Sequence, residues 1–349
     1  MHVTIIRHSI RNRGGDKVIS DYAKYLLQQG YVVDYYTNEI KSSTHIDQAL
    51  PTKQIPYKGK AGTIRFALSE KLQTDVVLVD IVAMAVFSWF RNRKKVVYLA
   101  QDYDVSYYSS AFMQTLLKAL YWIAFRLMRI PVIVESQSLL DRLLKFKPQK
   151  HIISSVGIDL DFYKFESRTK YFEEKSHKFV ILLAVWEDYR KGIDIGVKAL
   201  QKLNTIRPEK DWEVWAIGEK LPPMDGIPIK NFGFLKPEDL KDILSTATIY
   251  LMPSRSEGLS LLLLNALACQ CVVVGTEATN ILTDKITGLI SPINDWIALA
   301  ANLNLALSDE QLRSKISLES RKLAMSYDLK ECKLRFAKAL KDFTVDEAR

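Results

Sequence analysis

At 349 residues the chain exceeds the usual span of one domain, about 100 to 200 residues, so two domains are expected. Hydrophobic residues at 48%, charged residues at 26% and only 14 Gly and 11 Pro exclude a disordered, collagenous or disulfide-built chain. The net charge of +9 lies entirely within residues 1–165, while residues 166–349 balance. A basic half suits nucleic acid, an anionic membrane surface or a phosphorylated substrate, but no RNP-like aromatic motif, zinc finger or long Arg-rich tract speaks for nucleic acid. No nucleic-acid partner is expected.

In chain order, Met1 to Arg7 reads as a buried first strand and is too short and too soon interrupted for an export signal. Val18 to Gln29 has apolar residues at helical spacing with Gly30 as a stop. Further strands are expected at Val32 to Tyr36, Val76 to Val79, Val96 to Leu99, Pro131 to Glu135 and His151 to Ile153. The longest apolar stretch, Phe112 to Val134, is interrupted by Lys118, Arg126, Arg129 and Pro131, so it reads as a helix to about Met128 and then a strand, not as a membrane span. Residues 161–177 are polar and without clear period, and are read as a linker.

The alternation then restarts. Strands are expected at Phe179 to Ala184, Trp212 to Ile217, Ile249 to Met252, Val272 to Val274 and Gly288 to Ile290, with helices at Gly192 to Leu203, Pro237 to Ser245, Ser260 to Ala268 and Trp296 to Leu307. Strands alternating with helices specify an α/β fold of two doubly wound, Rossmann-like domains, 1–160 and 178–326, facing across a cleft. Cys269, Cys271 and Cys332 cannot build a disulfide framework or a zinc knuckle and are read as buried thiols of a reducing, cytoplasmic compartment.

The stretch PSRSEGLSLLLLNALA, residues 253–268, carries the most chemistry. Pro253 and Ser254 end a strand, Gly258 permits a tight backbone, and a helix begins at Ser260. The first N–H groups of a helix after a strand favour an anion such as a diphosphate. Glu257 is better suited to sugar hydroxyls than to that phosphate, and Asn265, two helical turns on, suits a second hydroxyl pair such as a ribose.

This segment, with Cys269 to Val274 after it, resembles the E-x7-E segment of the retaining GT-B glycosyltransferases of family GT4. The resemblance extends to Thr287-Gly288-Leu289-Ile290, to Tyr189-Arg190-Lys191-Gly192 at the family's K-G step, to Val156-Gly157-Ile158-Asp159, and to the glycine loop at Gly14-Gly15. It implies a nucleotide-sugar donor as substrate, no metal or other cofactor, and front-face transfer with retention. Carried over position by position, Lys191 balances the donor diphosphate with Arg190 beside it, and the backbone from Gly258 through Leu259, Ser260 and Leu261 binds phosphate and sugar. Glu257 holds sugar hydroxyls, Asn265 faces the ribose, Gly15 lets the backbone approach the phosphate, and Phe234 flanks the nucleobase. The last stretch, about 327–345, matches the helix that crosses back to the first domain. The acceptor, a glycan or a lipid-linked sugar, is assigned to the basic first domain, with His8, Arg11, Arg13, Gln101 and Asp102 lining its side. Helix Phe112 to Met128 and the run Arg91 to Lys95 suggest a peripheral contact with an anionic inner membrane face.

The sequence departs from the family at Asn265, where a second glutamate is usual, at Ser260 for glycine, and at Gln101-Asp102, where a histidine often meets the sugar's 6-hydroxyl. The last change fits a 6-deoxy sugar. Two D-x-D triplets, Asp102-x-Asp104 and Asp159-x-Asp161, arise too easily by chance to mark a metal site. An epimerase of the same fold, a binding module without activity and, on charge alone, a nucleic-acid binder are the competing readings.

Overall fold

The computed structural model describes all residues except 11–13, 41–49, 168, 174–177, 210 and 346–349. Arg11 and Arg13 lie outside the described residues. The chain forms two compact units, one of residues 1–156 with 330–349, the other of residues 157–329.

The first unit runs β1 (His2–Ile10), α1 (Gly14–Gln28), β2 (Val32–Ile40), β3 (Thr52–Gln54), α2 (Gly59–Ser69), β4 (Val76–Val79), α3 (Val82–Trp89), β5 (Val96–Ala100), α4 (Ala111–Trp122), β6 (Val132–Val134), α5 (Gln137–Leu143) and β7 (His151–Ile153). Its seven strands are parallel in the order β3-β2-β1-β4-β5-β6-β7. Strands covered on both faces need continuous apolar runs, and Val76–Val79 and Val96–Ala100 are buried throughout. The expected helix to about Met128 runs to Leu127 but changes pitch on the way. α4 stops at Trp122, and Ile123–Leu127 form a wider π-turn in which Met128 N donates to Ile123 O at 2.9 Å. Tyr121, Ala124 and Phe125, at i, i+3 and i+4, are all fully buried.

The second unit runs β8 (Phe179–Val185), α6 (Ile193–Ile206), β9 (Trp212–Gly218), β10 (Ile229–Gly233), α7 (Pro237–Thr246), β11 (Ile249–Met252), α8 (Leu261–Ala268), β12 (Val272–Thr276), β13 (Leu289–Ser291), α9 (Trp296–Ser308) and α10 (Glu310–Met325). Six parallel strands follow the order β10-β9-β8-β11-β12-β13. α11 (Leu329–Val345) then joins the first unit, where Phe336 stacks on Tyr22 at 3.9 Å.

The segment read as a linker belongs to the second unit, as far as it is described. Glu166 N donates to Ser245 Oγ at 3.3 Å, Lys241 pairs with Glu166 at 2.8 Å, and Lys170 pairs with Asp239. Polar bonds to α7, rather than an apolar period, hold this stretch, so no hydrophobic pattern announces it. All three cysteines are buried and unbridged, and burial pushes the Cys269 thiol up to about 12.

Asp104 is fully enclosed and accepts from Val82 N at 2.8 Å, capping α3, and from Tyr98 Oη at 3.3 Å. Burial pushes its carboxyl up from 3.8 to about 7, further than the Val82 bond draws it down. The folded chain therefore keeps a proton that the unfolded chain releases between those two values, so stability falls as pH rises through that window and levels off above it. Asp104→Asn should flatten this slope and raise stability at neutral pH by a few kcal/mol, and urea melts at several pH values check it.

Candidate donor site at the carboxyl ends of the second sheet

The connections β8 to β9 and β10 to β11 run in opposite directions across the sheet, so the winding reverses between β8 and β11. Open α/β sheets bind ligands outside the carboxyl ends of the strands at such a reversal. Two loops meet here, residues 186–192 after β8 and residues 253–260 after β11.

The first loop is a single tight turn. Asp188 accepts from Arg190 N at 3.0 Å, and its carboxylate also bonds the Arg190 guanidinium at 3.2 and 2.8 Å. Burial raises this carboxyl, but the bonds and charge of Arg190 outweigh it and hold Asp188 below the usual range. Gly192 follows with φ 63°, a left-handed conformation, and a side chain there would place Cβ 2.0 Å from Pro253 O. The two loops touch backbone to backbone, and only glycine permits it.

In the second loop Glu257 is the hub. Lys191 Nζ donates to both of its carboxylate oxygens at 2.8 Å, and Ser254 Oγ donates to one of them at 2.6 Å. The Glu257 side chain is 8% exposed and that of Lys191 28%, so the ammonium faces outward from a buried carboxylate. Thr276 Oγ1 donates to Ser254 O at 2.5 Å and Asn280 Nδ2 to Glu257 O at 3.1 Å, which fixes the loop from β12 and the turn after it. Leu259 is buried and anchors the loop's far end. Ser260 caps α8 by accepting from Leu263 N at 3.3 Å, so the serine in place of the family's glycine has a helix-starting role. Helix geometry leaves the N–H groups of Leu261 and Leu262 without an intrahelical acceptor.

Arg255 ties the loops together. Its N–H donates to Arg190 O at 2.6 Å, its guanidinium grips Asp194 at 2.8 and 2.7 Å, and it bonds Tyr189 O at 2.9 Å and Asn294 Oδ1 at 2.8 Å. The guanidinium also stacks on the Tyr189 ring at 4.0 Å. Arg255 and Asp194 are 61 positions apart, and neither stood out in the sequence.

Arg190 and Lys191 each pair with a carboxylate, Asp188 and Glu257. The Arg190 guanidinium is taken up by Asp188 and the residue is 9% exposed, so within this turn Arg190 acts as a brace and Lys191 is the outward cation. Asn265 lies on α8, 7% exposed, with its Oδ1 buried and without a hydrogen-bond partner among the described residues. A buried acceptor left unpaired costs about 1–3 kcal/mol. Phe234 follows the left-handed Gly233 at the end of β10, is 68% exposed, and meets Trp186 edge to face at 5.6 Å.

The remaining predicted residues belong to the first unit. Gly14 opens α1, and Gln101 Nε2 donates to Gly15 O at 3.3 Å and to the buried Glu135 at 3.0 Å. A side chain at position 15 would bring Cβ to 2.8 Å from Gln101 Oε1, so Gln101 is turned onto the glycine loop and braces it. Asp102 accepts from Tyr107 Oη at 2.5 Å, and His8 Nδ1 lies 2.9 Å from Thr63 Oγ1. At the winding reversal of this sheet, between β1 and β4, Arg7 is held by Asp16 at 2.5 Å and Asp80 at 2.7 Å. Sequence reading missed this trio, which no local pattern marks. Asp159 accepts from the N–H groups of Asp161 and Phe162 at 3.1 and 3.0 Å, a turn-forming role.

Comparison with curated protein sequences gives no significant match. Among solved structures, HepE from Anabaena, determined with UDP and glucose, superposes with a TM-score of 0.81 at 17% identity, covering 98% of this chain and all of that one. Sucrose-phosphate synthase from Thermosynechococcus elongatus gives 0.80 at 15% identity over 99% of both chains. WaaG, a glycosyltransferase involved in lipopolysaccharide biosynthesis, gives 0.76 at 18% over 97% and 99%. Residues 177–309, which contain the two loops and α8, match the family model of the glycosyl transferases group 1, and the chain as a whole has the GT-B fold.

Proposed function

We propose that this protein is a retaining glycosyltransferase that moves a sugar from a nucleotide-diphosphate donor to a glycan or lipid-linked acceptor, in the assembly of a cell-surface polysaccharide or glycolipid. The observation that carries the reading is the outward Lys191 on a buried Glu257, beside the start of α8 at the winding reversal of the second sheet. A diphosphate there draws Lys191 toward itself and accepts from the first N–H groups of α8, which frees the carboxylate of Glu257 for sugar hydroxyls. The unpaired Asn265 Oδ1 takes a ribose hydroxyl, and Phe234 with Trp186 flanks the base. Breaking the sugar–phosphate bond puts charge on the diphosphate as the sugar gains oxocarbenium character, so stabilising the leaving group is the main catalytic task. The acceptor hydroxyl attacks the same face, and its proton passes to the departing phosphate. This route needs no metal. Three buried thiols suit a reducing, cytoplasmic setting.

The test is thermal stability with UDP, dTDP, GDP and ADP and their sugar conjugates, in EDTA and then in magnesium. UDP conjugates come first, because HepE was determined with UDP-glucose. A donor at a hundred times its dissociation constant adds about 2.7 kcal/mol, a shift of a few degrees. One base family shifting the midpoint in EDTA supports the reading; no shift with any of them overturns it. Product analysis then separates transfer with retention from epimerisation.

Arg255 positions the loops without touching the donor. Arg255→Lys keeps the charge but loses the fork and the ring stacking. It should weaken donor binding by about tenfold while the pH profile of turnover stays unchanged, which titration calorimetry and a pH–rate series check.

A further inference from the structure

Glu135 is a carboxyl where the run of β6 would continue apolar. It follows Val132–Val134, which are all buried, and is itself 2% exposed. Its N–H donates to Ala100 O at 3.2 Å, which sets it against the end of β5, and its side-chain partner among the described residues is Gln101 at 3.0 Å. Burying a carboxyl is costly unless a donor reaches it, and the chemistry of the second unit makes no use of this one.

The Gln101 amide nitrogen carries two hydrogens. One goes to Glu135 Oε1 and the other to Gly15 O at 3.3 Å, in the first turn of α1. Gly15 O can only accept, so the amide does not turn over without setting oxygen against oxygen. Oε1 then lies over Gly15, 2.8 Å from the place a Cβ would take. Gln101 is partly buried, and its Oε1 neither has a partner among the described residues nor is sealed in the interior. Gln101 therefore offers a ligand an acceptor and no donor. Asp80 and Asp102, just past the ends of β4 and β5, add carboxylates to the same edge of the sheet. Such an edge disfavours phosphate and accepts from hydroxyls.

We propose that Glu135 is a positioning residue. It locks the Gln101 amide so that Oε1 is the atom presented, and Oε1 accepts from a hydroxyl of the acceptor sugar. The sugar rests on the glycosyltransferase reading, whereas the locked amide stands without it.

Nitrogen-15 NMR of the full chain labelled at glutamine tests both, with Gln101→Met identifying the Gln101 signals. Its two amide protons should exchange with water at least about fivefold more slowly than those of the exposed Gln28 and Gln29. Glu135→Leu should lose this protection for one of them, and Glu135→Gln, which keeps an acceptor oxygen, should retain it. A residue that only filled space would show the reverse order. Gly15→Ala should move the Gln101 signals with little loss of stability, because the added methyl meets the end of a flexible side chain. Melting curves confirm that each variant folds. Methyl glycosides of glucose, galactose, mannose and rhamnose are then titrated in, beside inorganic phosphate. At least one glycoside should move the Gln101 signals, less so in Glu135→Leu, and phosphate should not. Fast exchange in the unaltered chain, or protection unchanged in Glu135→Leu, would overturn the positioning role. Signals that follow phosphate, or none of the glycosides, would overturn the sugar contact. Absence of a melting shift with every nucleotide would count against the glycosyltransferase reading and leave the exchange result standing.

Discussion

Lys191→Ala should lower turnover by about a hundredfold or more, the loss seen when one preorganised donor to a developing negative charge is removed. A hundredfold corresponds to about 2.7 kcal/mol of transition-state stabilisation. Two features place the effect on Lys191 rather than on its neighbour. Arg190 is bonded to Asp188 through its guanidinium, while Lys191 Nζ reaches outward from Glu257. Charge on the leaving diphosphate grows as the glycosidic bond breaks, so kcat should fall more than donor affinity. The same substitution leaves Glu257 with Ser254 as its remaining side-chain donor among those described, so the variant's melting midpoint is recorded beside its kinetics. Lys191→Arg, which keeps a cation at a longer reach, should recover part of the rate. Turnover of Lys191→Ala within twofold of the unaltered chain would remove Lys191 from this role.

Gly192→Ala should be the most damaging single methyl group in the second unit. The left-handed backbone at φ 63° costs a non-glycine residue about 1–2 kcal/mol. The new Cβ also lies 2.0 Å from Pro253 O, so the 186–192 and 253–260 loops must separate. Overpacking of this kind adds about 1–3 kcal/mol, and the expected loss of stability is about 2–5 kcal/mol. Gly233→Ala provides the internal comparison. Its φ of 70° is also left-handed, but nothing lies within 4 Å of the added Cβ, so only the backbone cost applies. Urea denaturation of the two variants should differ by the clash alone, and equal losses would mean that the loop contact carries no strain.

These predictions rest on different layers of information. The Lys191-Gly192 step and the Ser-Glu-Gly turn stand in the sequence as short contiguous motifs, and the buried strands stand as apolar runs, because each is decided within a few residues. Val76–Val79, His151–Ile153 and Ile249–Met252 have the bounds the runs indicate. α2 escaped notice because GKAGTIRF has little apolar period, and its Gly62 lies so close to the Tyr57 carbonyl that an added Cβ would be 2.4 Å from it. α10 escaped as well, since its mean hydropathy is low and it buries little beyond Ile316, Ser320 and Ala324.

What the sequence determined by itself is the α/β class, the two-unit organisation and the chemical types at the loops after β8 and β11, since these follow from local pattern and composition. The tertiary structure alone decided which groups pair with which. Asp188 claims Arg190, Glu135 and Gly15 claim Gln101, and Arg255 binds Asp194 far along the chain. Such pairings depend on strand order and on which loops the sheet brings side by side. A one-dimensional pattern carries no information about a partner dozens of positions away, and so the division between outward cation and inward brace appears only once the chain is folded.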